Sequence, residues 1–142
     1  MAITQTMCTS FKQELLTATH DFTSSTGDTF KVALYTSSAS LGAATTAYTT
    51  SNEVTGTGYT AGGNTLTSVT PTTSGTVAYV DFGDTTWSSA SLTARGALIY
   101  NSSKSNKAVA VLDFGENKTV SAGNFQIQFS PANASEAIIR IA

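Results

Sequence analysis

Charge is what this sequence has least of. Asp, Glu, Lys and Arg make up 11% of its 142 residues, where an ordinary globular chain carries about a quarter. Seven Lys and Arg are scattered against nine Asp and Glu, for a net charge of −2. Nucleic-acid binders normally concentrate basic residues on one face, so direct binding to DNA or RNA is not expected. No apolar run reaches the 18 or so residues of a membrane-spanning helix. The first residues, Met1 to Met7, lack the basic start and apolar centre of a signal peptide, so synthesis in a cytoplasm is expected. One cysteine, Cys8, excludes an intrachain disulfide and a cysteine-rich metal site. It reads as a small buried apolar residue at a helix start. The one histidine, His20, has no Cys, Ser or second His in a catalytic spacing. It reads as a surface or capping residue at a helix C-terminus, where the dipole favours it.

What the chain has instead is Ser and Thr, roughly three residues in ten. Threonine favours strands because its branched Cβ packs well on a pleated surface. At this length one domain, residues 1–142, is expected, with a core that needs no staples. Residues 1–8 read as an N-terminal arm. Ser10 and Gln13 form a capping-box pattern, and Phe11, Leu15 and Leu16 share a face, so a helix is expected from about Ser10 to Ala18. Thr29–Tyr35 reads as a central strand, because both of its faces carry apolar residues. Thr36–Thr50 reads as a long loop with a helical turn near Leu41–Thr45.

Strands follow at Asn64–Thr70 and Gly75–Phe82, with Pro71–Ser74 as the turn between them. Trp87 reads as a core plug or edge anchor. Leu92–Tyr100 is a strand whose internal Gly96 marks a bulge or a close backbone approach. Lys107–Gly115 is a strand, Asn117–Asn124 a loop, and Asn124–Phe129 a half-buried strand with Phe125, Ile127 and Phe129 inward. Glu136–Ala142 closes the pattern. Short strands at this spacing predict a mainly β chain: an antiparallel β-sandwich or jelly-roll-like barrel with one short N-terminal helix.

The glycines cluster in Glu53–Leu66. Gly56, Gly58 and Ala61 fit a loose dinucleotide fingerprint, which needs a helix directly after it. Gly62-Gly63-Asn64 does not start a helix, so the stretch reads as a structural loop. Asp81-Phe82-Gly83 and Asp113-Phe114-Gly115 echo the kinase metal-binding triplet, but the other kinase segments are missing. Paired hairpins with similar exits account for the echo. Asp81 with Asp84, and Asp113 with Glu116, are the only carboxylate pairs that invite a hard cation, and neither has the spacing of a calcium loop. No catalytic, metal-binding or cofactor-binding residue is therefore assigned, and no enzyme activity is expected. Tyr48, Glu53, Tyr59 and Met7 are the candidate interface residues, on the expectation that Thr45–Gly63 and the arm Met1–Met7 are exposed. Tyrosine is enriched at interfaces.

Phe30–Thr36, Glu53–Gly63, Thr86–Ser89, Thr93–Tyr100 and Leu112–Gly115 occur in an order and wording that resembles a family of small virion-associated proteins of tailed bacteriophages. The likeness covers roughly Thr29 to Phe129. It implies a structural role in the particle and transfers no catalytic residue. The expectation is a capsid decoration (cement) protein on the head surface, binding the major capsid protein as a homo-oligomer, with a trimer favoured, and touching neither nucleic acid nor membrane. The alternative is a tail, neck or fibre-associated receptor-binding module, for which Tyr48, Tyr59, Trp87 and Tyr100 would supply an aromatic platform for glycans.

Overall fold

A computed structural model describes residues 2–142. Its elements are β1 (Thr6–Met7), α1 (Thr9–Leu16), β2 (Phe30–Tyr35), β3 (Asn64–Thr65), β4 (Ser68–Ser74), β5 (Val77–Phe82), β6 (Thr85–Asn101), β7 (Lys107–Ile127) and β8 (Ile139–Ile141). They form two antiparallel sheets, ordered β1-β7-β6-β2-β3 and β4-β5-β8. The arrangement is a β-sandwich and not a closed barrel, which decides between the two expected architectures. The core between the layers holds Phe11 of α1, Phe22, Phe30, Val32 and Leu34 of β2, Phe82 of β5, and Leu98 and Val109 of the long hairpin. Phe22 and Phe30 stack with ring centroids 4.2 Å apart.

The long hairpin β6–β7 is the main departure from expectation. It is built from strands of 17 and 21 residues, where the sequence reads as shorter strands separated by loops. Bulges are the reason. Trp87 is buried, and so are Ala90, Leu92 and Ala94, but the inward positions change from odd to even numbers. Ser89, at φ 51°, takes up the extra residue, and the pairing with β7 shifts register there. On β7 one extra residue is taken up near Ala122, at φ 49°, and a longer irregularity is taken up around Gly115, at φ 82°. An inserted residue breaks the period-2 pattern without ending the strand. The polar stretch 117–124 is therefore strand, not loop. Gly96 is a close approach and not the bulge: it pairs with Tyr35 and Asp113, the extra residues lie opposite on β7, and a side chain there would meet the Leu112 carbonyl and Ile3.

Other boundaries also move. The β4–β5 turn is Gly75-Thr76, not Pro71–Ser74, because Ser74 pairs with Val77. Gly75 has φ 60°, which suits a two-residue hairpin turn with glycine first. Pro71 sits inside β4 at the irregularity between Val69 and Thr72, on an edge strand where its missing N–H costs nothing. The two Asp-Phe-Gly segments do not lie at paired exits. Asp81 is near the end of β5, whereas Asp113 lies within β7, which bends at Gly115 and continues. Near Leu41–Thr45 the chain makes a single turn, closed by Thr45 N donating to Gly42 O, and no helix; Leu41 makes a parallel bridge to Ile3.

The helix begins at Thr9 with Cys8 as N-cap, and no side chain caps it. The capping box does not form: the Ser10 hydroxyl is buried without a partner. Cys8 is fully buried, as expected. Burial, and then the charge of Glu14, push its thiol up to about 11, so it stays protonated at neutral pH. His20 is not on the surface. Its imidazole has no exposed area. Nε2 lies 2.9 Å from Glu14 Oε1, and Nδ1 lies 3.0 Å from Asn101 Nδ2. Asn101 donates from the same nitrogen to Asp28, and its Oδ1 accepts the Ser103 amide. An amide so fixed offers Nδ1 only a donor, so Nε2 carries the proton that goes to Glu14. These bonds tie α1 to the turn end of the long hairpin.

Candidate contact surface

The outer edge of β2 needs partners, and β3 supplies only two residues. The loop 47–63 covers the rest. Val54 N donates to Leu34 O, Thr36 N to Asn52 O, and the Leu34 amide donates to the Tyr59 hydroxyl at 2.9 Å. Glu53 anchors this loop. It is 8% exposed and accepts three hydrogen bonds: from Tyr48 at 2.7 Å, from Tyr59 at 2.6 Å and from the Gly62 amide at 2.7 Å. Tyr100 donates to Gly62 O and stacks on Tyr48 at 4.7 Å. Tyr35 donates to Thr49 O. Burying a carboxylate is costly unless donors surround it, and here tyrosines and a main-chain amide do so without a cation among the described contacts.

Burial, followed by the hydrogen bond to Glu53, raises the Tyr48 and Tyr59 phenols well above the ordinary tyrosine range. Tyr100 is pushed up to about 12 by burial and then by the Glu53 charge. The glycines serve the same packing. A side chain on Gly63 would overlap the Val32 carbonyl, and one on Gly56 the Ser91 carbonyl. No helix follows Ala61, in agreement with the structural-loop reading of this stretch.

Three of the four expected interface residues are thus brought together, but their polar atoms point into the chain. Tyr48 and Tyr59 are half-buried and Glu53 is buried. Met7, also half-buried, lies on β1 and pairs with Ala110. The aromatic platform does not form either. Trp87 is 3% and Tyr100 2% exposed, and Trp87 packs against Tyr59 and Phe125.

What is exposed is the ground between the arm and the loop. Thr4 N donates to Leu41 O, Leu41 N to Ala2 O, and Thr9 N to Ala43 O. Thr46 and Ala47 then run along the start of β7, with Ala108 N donating to Thr46 O. Ala2, Thr4, Ser40, Ala43, Ala44, Thr46 and Ala47 are exposed around a shallow depression of about 580 Å³. Met1 lies outside the described residues. Arm and loop are one surface, and no residue in 2–8 or 40–49 carries a formal charge. Its Ser40–Ala44 part lies outside the stretch expected from the sequence. The run of small residues from Ser37 to Ala47 was the available signal. The His20 network had none, since Asn101 and His20 are 81 positions apart.

The carboxylate pairs do not converge. Asp81 is buried in β5, where burial raises its pKa, and its Oδ1 accepts the Phe82 amide. The Gly115 amide and then Arg95, 3.1 Å away, hold Asp113 below the usual carboxylate range. Among the described residues no three His, Cys, Asp or Glu side chains are grouped to hold a metal ion. No helix there is long and apolar enough to cross a membrane. Comparison with family models, curated proteins and solved structures finds no match to this chain.

Proposed function

We propose that this chain is a structural protein of a tailed-phage virion, a decoration protein that binds the outside of the head and strengthens the lattice. The phage context rests on the resemblance of the ordered segments between Thr29 and Phe129. The adhesive role rests on one observation: the arm Ala2–Met7 and the loop Ser40–Thr49 form a continuous uncharged surface whose exposed residues are mostly small. Ala and Gly lose no side-chain entropy on docking, and Ser and Thr lose little. Such a surface lies close against a flat partner. Weak contacts repeated over a lattice add through avidity, so one copy needs no large interface. The partner in this reading is the major capsid protein, and the copies form a closed cyclic oligomer, taken as a trimer.

The deciding experiment is quantitative mass spectrometry on phage heads separated from tails. Copies numbering in the hundreds per head are expected. A few copies restricted to tails would replace this reading with the tail or receptor-binding module. A chain missing from both fractions would remove it from the virion.

A further inference from the structure

The second sheet overhangs the core. Cross-strand pairing puts Ala78 opposite Ile141 and Val80 opposite Ile139, so these four side chains share one face. Val80 and Ile139 are covered, while Ala78 and Ile141 run past the covering layer, and Ile141 is 57% exposed. The result is an apolar groove of about 180 Å³ between Leu15, Phe22, Pro71, Ala78, Ile139 and Ile141. The groove runs beside β8, which is an edge strand paired only with β5. The other long edges are blunted against strand addition: β4 by Pro71 and a bulge, β7 by bulges at Gly115 and Ala122. β8 has neither device, although its three residues leave room for only a short added strand. At its centre is Arg140, which is exposed and has no ion-pair partner among the described residues.

We propose that β8 and the groove form a docking site for an extended segment of another protein, one with an acidic residue between two apolar ones. The segment adds a strand to β8. Its side chains alternate between faces. The two flanking residues fall on the groove face beside Ile139 and Ile141, and the middle one falls on the opposite face beside Arg140. Opposite charges across a strand pair attract and like charges repel, so Arg140 selects an acid there. A second copy of β8 fails this test. The antiparallel register that pairs all three residues of β8 sets Arg140 against Arg140 of the copy, and registers slipped by two residues keep the faces matched but pair fewer residues of β8. The groove shares no lining residue with the arm-and-loop depression, although Ile138 beside β8 borders Met7 of the arm, and the proposal does not depend on the capsid reading.

The probe is the fluorescein-labelled heptapeptide Val-Thr-Val-Glu-Val-Thr-Val, which places valines on the groove face beside the central glutamate, alongside lysine- and glutamine-centred versions. Anisotropy titrations on the full chain are expected to show the glutamate peptide binding at least tenfold tighter than the lysine peptide, with glutamine between. Arg140→Glu should invert that order, and Ile141→Thr should weaken all three peptides. Amide shifts in nuclear magnetic resonance spectra should centre on β8. Affinities independent of the central residue, no binding at millimolar peptide, or shifts elsewhere on the chain overturn the proposal. So does sedimentation showing self-association that Ile141→Thr abolishes, which would make a second copy the occupant.

Discussion

At the scale of single residues, Glu53 joins the loop to the sheet. Three donors depend on it. Glu53→Ala strands two phenols and an amide in a buried place, and each unmet buried group costs about 1–3 kcal/mol. A total loss of about 3–5 kcal/mol is expected in urea unfolding, after relaxation and water entry. Tyr48→Phe leaves two donors in place and should cost about 1 kcal/mol. Equal costs for the two variants would show that the network is not centred on Glu53.

The tyrosines also give the fold an alkaline limit. Tyr35, Tyr48, Tyr59 and Tyr100 all hold their protons more tightly in the folded chain. An unfolded tyrosine ionises near pH 10, so above that pH the unfolded chain has released protons that the folded chain keeps. Stability contributed by these groups is complete below about pH 10 and declines as pH rises through the folded values, Tyr100 at about 12. Phenolate absorbance at 295 nm should therefore rise together with loss of near-ultraviolet dichroism. Phenols that titrate near pH 10 in an intact fold would contradict this. Asp81 works in the same sense at lower pH. Its raised pKa means a stability cost that grows as pH rises through the usual carboxylate range. Asp81→Asn keeps an acceptor for the Phe82 amide, so the variant should gain on the wild type between pH 4 and 7. A constant difference across that range would rule out the charge as the cause.

At the scale of elements, the glycines of the strands and loop have different tasks, which substitution separates. Gly115 has φ 82° with open space around it, so Gly115→Ala carries only the left-handed backbone penalty, about 1–2 kcal/mol. Gly63 combines φ 75° with direct overlap on the Val32 carbonyl. Gly63→Ala should cost upwards of about 3 kcal/mol, since strain and overpacking add, and should release the loop as well. Hydrogen exchange at Val54 and Leu66, whose amides bond to β2, checks this. Unchanged protection there in Gly63→Ala would mean the loop is held elsewhere. The bulges have an architectural consequence too. Each one bends β6–β7 and raises local twist, and this bending lets one hairpin carry both the buried half at Gly96–Asn101 and the exposed half near Lys118.

At the scale of the whole molecule, the decoration reading predicts binding that is insensitive to salt. Charge-driven contacts weaken as the Debye length shrinks, but no residue in 2–8 or 40–49 is charged. Binding to undecorated heads should change less than twofold between 50 and 500 mM salt. Thr46→Glu, at an exposed loop position, should abolish binding while leaving the melting temperature unaltered. Strong salt dependence with an inert Thr46→Glu would move the contact to another face.

The sequence by itself determined the class of the fold. Alternation in Asn124–Phe129, the two apolar faces of β2 and the turn residues between strands are local signals, and local signals survive without coordinates. It also determined that little charge is available for a partner. Tertiary structure decided the rest. The parity change between Trp87 and Ala90 hid a single strand, because a bulge erases the period that marks one. Tyr48, Glu53 and Tyr59 read as outward residues in the sequence, and the unpaired edge of β2 draws them inward. His20 gained its partners from positions far along the chain. The arm met the loop only because β1 joined β7. In each case the deciding contact is long-range, and its physical cause is that buried polar groups must find partners wherever the topology supplies them.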